Sequence, residues 1–276
     1  MELREQIAKK LGIRPDLLPR SIQFIGDIAL LKLRRELEDR KEEIGEVLLE
    51  LCPRIKTVCL VKGVEGEFRS PRVEVIAGDG TRTTHHENGV RFEIDVAKFM
   101  FSKGNLYERL RIPKLIYPGE VVIDMFAGIG YFALQIAKHS SAKQVIAIEK
   151  NPEAYRYLLR NIALNSLMNV IAVLGDCREV AKLERFRNVG DRIVMGYFIS
   201  PFSYLKAALL FAKSKAVIHF HFLSRREDVE GVVKKVSKYV RKYGFRSSVL
   251  QLRKIKSYAP RISHYVADLA IGKNEK

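Results

Sequence analysis

The chain has 276 residues, 49 Lys plus Arg against 32 Asp plus Glu, and a net charge of +17. That length can bury a large core in one big domain or two modest ones, and that charge points to a polyanionic partner, although a heat-adapted surface would also carry many ions. Three scattered cysteines, Cys52, Cys59 and Cys177, exclude a disulfide scaffold and a C-x-x-C motif, and no apolar run is long enough for a membrane-spanning helix.

The opening MELREQIAKK is charged from its second residue and lacks the apolar core of a signal peptide, so the expected location is the cytoplasm. Residues 35–51 read as an amphipathic helix with Ile44, Val47, Leu48 and Leu51 on one side. Short strands are predicted at 56–62 and 72–78. A hairpin over 81–96 turns at Asn88-Gly89, a pair that accepts positive φ at both central positions. Together these make a small α+β domain over 1–95. His85 and His86 lie near the hairpin turn, where metal ligation is not expected.

Residues 96–119 connect this domain to the rest. The apolar part, 99–101, reads as a buried strand. Ser102, Arg109 and Arg111 follow it, and would reach the main pocket if the segment packs over it; a plain interdomain linker reads equally well.

The stretch 121–132, VVIDMFAGIGYF, is a strand, a tight turn and the start of a helix. Gly128 and Gly130 allow a ligand to approach the backbone closely. Gly128-x-Gly130-x-x-Ala133, with Glu149 about 20 residues further on, satisfies the loose dinucleotide fingerprint. Asp124 at the strand end would repel a pyrophosphate, whereas S-adenosylmethionine carries an ammonium and a sulfonium that tolerate a carboxylate. The remaining alternative is a glycine turn that merely closes a βα unit.

From here strands at 144–149, 170–175, 192–197 and 216–222 alternate with helices at 152–165, 202–213 and 226–243. Extended segments at 248–256 and 262–271 follow. This is an α/β domain over 120–276 with a parallel sheet covered by helices. Glu149 ends the second strand, where a carboxylate can accept both ribose hydroxyl protons, and Asp176 follows the third, where it can accept from an adenine amino group. Each alone could be a surface residue or a cap. Cys177 would offer its backbone N–H beside the adenine, its thiol serving packing.

The fourth strand ends in Met195-Gly196-Tyr197-Phe198, without the amide or carboxylate that amino-group methyltransferases tend to carry there. Gly196 leaves room for a planar group and Tyr197 could stack on it or hydrogen-bond to it; Phe198 reads equally as a site ring or as a core aromatic. His219 and His221 share a face of the fifth strand; the spacing offers no third ligand for a metal pair, so they read as two satisfied histidines, and His264 is a further site candidate. From Gly231 to Lys276 there are twelve Lys or Arg and two acidic residues, with Tyr239, Tyr243, Tyr258 and Tyr265 interleaved. Such a run can neutralise phosphates while rings stack on bases; a solvated helix face explains only part of it.

With FSKGNLYERLR, VIDMFAGIGYF, IAIEKNP, RNIALN, RIVMGY, VIHFH and RKIKSYAP in order, the chain resembles the archaeal tRNA wybutosine-biosynthesis aminocarboxypropyltransferases, relatives of the tRNA guanine-N1 methyltransferases acting at position 37. The resemblance implies a Rossmann-type class I S-adenosylmethionine-dependent domain behind a small N-terminal domain that helps dock tRNA. It implies that Ser102 and Arg109 reach the donor alongside Glu149 and the Asp176-Cys177 pair; Asp124, Phe126, Gly128 and Gly130 of the glycine loop complete the expected donor site, and no metal is expected. The implied reaction moves the aminocarboxypropyl group to C7 of 4-demethylwyosine at position 37 of phenylalanine tRNA, with Arg109 orienting the donor and Gly196 and Tyr197 placing the base. A guanine-N1 methyltransferase, or a basic RNA-binding protein with a degenerate cofactor fold, are the alternatives. Lys103 stands where Pro is expected, FISPFSY replaces an expected Thr-His, and Ser263 replaces an aromatic. Nothing in the sequence calls for a membrane or for more than one copy of the chain.

Overall fold

The computed structural model describes residues 2–274. It divides into two compact units, Met1–Phe101 and Ser102–Lys276.

The first unit begins with α1 (Leu3–Leu11), followed by β1 (Gln23–Ile25), β2 (Ile28–Leu31), α2 (Lys41–Leu51), β3 (Thr57–Glu65) and β4 (Ser70–Gly78). The strands form a sheet in the order β1-β2-β3-β4, parallel only between β2 and β3. β5 (Arg82–Glu87) and β6 (Val90–Asp95) make a separate hairpin. Its turn has φ of 49° at Asn88 and 72° at Gly89, the conformation that this residue pair tolerates. Ile44 and Leu48 of α2 pack with Ala29, Val58 and Leu60 of the sheet.

Two expectations are corrected in this unit. Residues 35–51 do not form one helix: Arg35–Arg40 is 3-10, and the α-helix starts only at Lys41, after Arg40 leaves helical geometry at φ −116°, ψ 16°. Residues 99–101 are not a strand. The Phe99 N–H turns back to the Asp95 carbonyl at 2.9 Å, and Phe101 sets its ring edge-on to Phe92 while its carbonyl accepts from Gln23 Nε2 at 2.6 Å. Phe99 and Phe101 are buried and Met100 is exposed, and turn and side-chain groups, not a ladder, meet these backbone groups.

The second unit runs through α3 (Leu106–Arg111), β7 (Val121–Asp124), α4 (Ala133–His139), β8 (Gln144–Glu149), α5 (Pro152–Leu164), β9 (Val170–Leu174) and α6 (Cys177–Val180). It continues through β10 (Gly190–Met195), α7 (Phe202–Phe211), β11 (Ala212–Ser224), α8 (Val229–Arg241), β12 (Phe245–Ala259) and β13 (Ile262–Lys273). Asn151 caps α5 by accepting from the Glu153 N–H, and Pro152 occupies the first turn, where no amide is missed.

All seven strands join one sheet in the order β12-β13-β11-β10-β7-β8-β9. The strands from β9 to β11 are parallel, and β13 inserts antiparallel between β11 and β12. Chain order reverses between β7 and β10. In a doubly wound sheet that reversal opens a crevice at the strand C-terminal ends, which is where ligands bind.

Candidate active site

β7 delivers Asp124 to that crevice with no exposed surface. Its Oδ1 accepts the Phe126 N–H and its Oδ2 the Ala133 N–H, both at 3.2 Å, so the carboxylate braces the loop between strand and helix. Burial pushes its pKa up to about 7, against the pull of those two donors. Gly128 (φ 58°) and Gly130 (φ 106°) form the turn itself. A Cβ on Gly128 would stand 2.6 Å from the Tyr131 ring, and one on Gly130 2.6 Å from Leu134, so side chains at these positions are excluded on two counts.

Glu149 at the end of β8 closes the loop from the other side. Its Oε2 accepts the Gly128 N–H at 2.7 Å and its Oε1 the Asn151 N–H at 2.6 Å. Burial raises its pKa, while these amides pull it back. Asp176, after β9, caps α6: Oδ1 accepts the Arg178 N–H at 2.9 Å, and the Arg178 guanidinium lies across both oxygens at 3.0 and 2.6 Å. That guanidinium holds the Asp176 carboxyl below its ordinary range. Cys177 is buried and burial pushes its thiol up to about 12, which removes it as a nucleophile at neutral pH.

The loop after β10 brings aromatic rings together. Tyr197 lies 5.3 Å from Phe126, and Tyr204 of α7 stands edge-on to both, at 4.9 Å from Phe126 and 5.9 Å from Tyr197. The Arg178 guanidinium covers Tyr204 at 4.9 Å, tying this ring cluster to Asp176. Tyr204 and Arg178 escaped the sequence reading; the aromatic spacing within FISPFSY was the available signal. The room expected at Gly196 is corrected: a Cβ there would meet Phe132 at 3.1 Å, so the missing side chain accommodates a protein ring. Phe198 packs on His264 at 4.5 Å and on Tyr258 at 5.5 Å.

Ser102 and Arg109 belong to one folded segment. Arg109 is buried and its Nη1 donates to the Ser102 carbonyl at 3.0 Å, while Lys256 Nζ donates to Ser102 Oγ at 2.7 Å. Arg111 anchors the segment to β13 through a fork onto Asp268, at 2.5 and 3.1 Å, and reaches Glu108 at 2.7 Å. Asp268 also meets His219 Nδ1 at 2.6 Å, and His219 Nε2 lies 3.1 Å from Arg192, which pairs with Glu120 at 2.8 Å. His221 Nδ1 and His264 Nε2 are 2.9 Å apart. Burial lowers the pKa of all three histidines, that of His264 to about 3.

Carboxylates at three successive strand ends, a glycine loop without room for side chains and a ring cluster beside them suit a cationic nucleoside. Glu149 Oε2 already takes the Gly128 amide that a pyrophosphate would need, so the donor set fits S-adenosylmethionine better than a dinucleotide.

Residues 83–250 match the family model for the TRM5/TYW2 methyltransferase domain, and residues 3–81 match that for the TYW2 N-terminal domain. A Methanocaldococcus jannaschii protein named tRNA(Phe) (4-demethylwyosine(37)-C(7)) aminocarboxypropyltransferase is 41% identical over 89% of this chain and 96% of its own length. The tRNA (guanine(37)-N(1))-methyltransferase Trm5b of Pyrococcus abyssi is 37% identical over 92% of this chain and 76% of its own. The crystal structure of Pyrococcus horikoshii TYW2 in complex with MeSAdo superposes with a TM-score of 0.86 at 36% identity, covering 99% of this chain and 100% of that one. The sheet order, the glycine loop and these likenesses along both units have one common explanation: the chain belongs to the TRM5/TYW2 family.

Proposed function

We propose that this protein transfers the 3-amino-3-carboxypropyl group of S-adenosylmethionine to C7 of 4-demethylwyosine at position 37 of phenylalanine tRNA. The observation that carries this reading is the end-to-end likeness to the M. jannaschii aminocarboxypropyltransferase, N-terminal domain included. The end of β10 agrees with it, because Met195-Gly196-Tyr197 offers no amide or carboxylate for an amine acceptor.

In the reaction C7 of the base forms a bond to the side-chain γ-carbon of the donor as the bond from that carbon to sulfur breaks. 5′-Methylthioadenosine leaves and the C7 proton is lost. Sulfur bears three carbons, and the one that transfers is the one held in line with the nucleophile, so positioning decides between methyl and aminocarboxypropyl chemistry. Glu149 is assigned the ribose hydroxyls, Asp176 and the Cys177 N–H the adenine, and the loop from Asp124 through Phe126, Gly128 and Gly130 the body of the donor. Ser102 and Arg109 take its amino-acid end. Tyr197, backed by Phe126 and Tyr204, stacks on the acceptor base.

The N-terminal domain, 1–95, is assigned to tRNA docking, 96–119 to the connection and 120–276 to catalysis, all in the cytoplasm. A cleft of about 660 Å³ lined by Arg226 in the turn before α8 and by Lys254 and Arg261 in the β12–β13 hairpin is a fitting place for RNA phosphates.

The second reading is guanine-N1 methylation, favoured by the likeness to the P. abyssi enzyme. Incubating the protein with tRNA from a strain lacking the modification, and with donor labelled separately in its methyl and carboxypropyl carbons, separates the two. Carboxypropyl label in the RNA is expected; methyl label would replace the first reading with the second.

A further inference from the structure

Lys256 belongs to β12, just past a register irregularity between Lys254 and Lys256, and its side chain runs to the 3-10 turn at Lys103–Asn105. The path of the stem runs close over Gly104: a Cβ there would meet Lys256 Cδ and stand 3.0 Å from its Nζ, so a larger residue at 104 would push the lysine chain aside. At the end of that path the ammonium donates to Ser102 Oγ at 2.7 Å, while Arg109 Nη1 donates to the Ser102 carbonyl at 3.0 Å. Ser102 therefore sits between two cations, and its hydroxyl makes no capping hydrogen bond to the turn that it opens.

A serine hydroxyl has one proton and two lone pairs. With an ammonium on its oxygen, the proton is directed at a further acceptor. An ammonium and a hydroxyl donor side by side are suited to a carboxylate, and charge-assisted bonds of this kind are the strong ones.

We propose that Lys256 and Ser102 hold the α-carboxylate of the S-adenosylmethionine aminocarboxypropyl chain, an inference that rests on the function proposed above. The carboxylate travels with the group that is transferred. Anchoring it fixes one end of the three-carbon chain whose other end, the γ-carbon, is bound to sulfur, and so steers that carbon, and not the methyl, toward the acceptor; Lys256 becomes a determinant of which carbon moves.

Calorimetry with three ligands tests this: S-adenosylmethionine, its decarboxylated analogue and 5′-methylthioadenosine. For Lys256→Met the affinity for S-adenosylmethionine should fall roughly 10- to 100-fold, the range for a hydrogen bond to a charged group. Affinities for the two ligands without a carboxylate should match those of the unmodified protein, which also shows that the variant is folded. Lys256→Arg should recover part of the loss. An equal loss for all three ligands overturns the proposal, and so does unchanged donor affinity with weakened tRNA binding, which would assign Lys256 to the RNA. If the unmodified protein binds neither S-adenosylmethionine nor 5′-methylthioadenosine, the proposed function falls, and this inference with it.

Discussion

The backbone N–H of Gly128 donates to Glu149 Oε2 at 2.7 Å, tying the first glycine of the loop to the last residue of β8. Glu149 thus has two tasks, because an ionised carboxylate has about four acceptor sites and two are already taken by the Gly128 and Asn151 amides. Glu149→Ala should weaken S-adenosylmethionine by about 1.5–3 kcal/mol through lost ribose contacts. It should also speed amide exchange at Gly128. Calorimetry and hydrogen exchange measure the two effects, and unchanged affinity would remove Glu149 from the ribose site.

Buried titratable groups make stability depend on pH in opposite senses. His264 has its pKa lowered to about 3 from 6.5, so the unfolded chain takes up a proton that the folded one refuses, and stability is lost as pH falls from 6.5 toward 3. Asp124 is raised from 3.8 to about 7, so the folded protein keeps a proton that the unfolded chain has released, and stability falls as pH rises across that window, by on the order of 4 kcal/mol. Denaturant titrations from pH 4 to 8 should show a shallower acid loss for His264→Gln and a flatter neutral limb for Asp124→Asn.

Tyr197 separates binding from transfer. Tyr197→Leu removes the ring beside Phe126 and Tyr204 but touches neither Glu149 nor Asp176. Single-turnover transfer should fall at least tenfold, equivalent to about 1.4 kcal/mol of barrier, with donor affinity changed less than about twofold. Undiminished transfer would place the base elsewhere.

Salt reports on the RNA. Affinity for tRNA should fall with rising salt, by a slope of about 0.7–0.9 per phosphate contacted. Lys254→Glu and Arg261→Glu, in the cleft at the β12–β13 hairpin, should each lower that slope by about one contact. Slopes equal to that of the unmodified protein would clear this cleft of the RNA.

Arg111→Met leaves Asp268 and Glu108 buried without their shared cation. Breaking a buried pair by removing one partner costs about 3–5 kcal/mol, far more than an exposed pair would. The unfolding midpoint should drop accordingly, and a change below about 1 kcal/mol would mean that the segment carrying Arg109 is held by packing.

The elements legible in the sequence were those specified by neighbouring residues. β8 runs over Gln144–Glu149 as its apolar run predicts, α5 starts at Pro152 as a first-turn proline predicts, and the hairpin turns at Asn88-Gly89. Each depends on a short apolar run, a missing amide or a permitted φ, all local properties of the chain. Three elements, α1, β1 and β2, went unread. β1 and β2, of three and four residues, are too short to show a period, whereas α1 does carry a local signal, Leu3, Ile7, Ala8 and Leu11 at helical spacing, among the charged residues of the N-terminus.

By itself the sequence also determined the acids at the strand ends, since the C-terminus of a strand is a position along the chain. Only the tertiary structure decided what each side chain would meet. Lys256 reaches Ser102 across 154 residues and Arg111 reaches Asp268 across 157. The ring of Phe132 takes the space beside Gly196, and Arg178 covers Tyr204 while pairing with Asp176. Such pairings come from the order in which strands assemble, with β13 inserted between β11 and β12, and no periodicity within either partner encodes them.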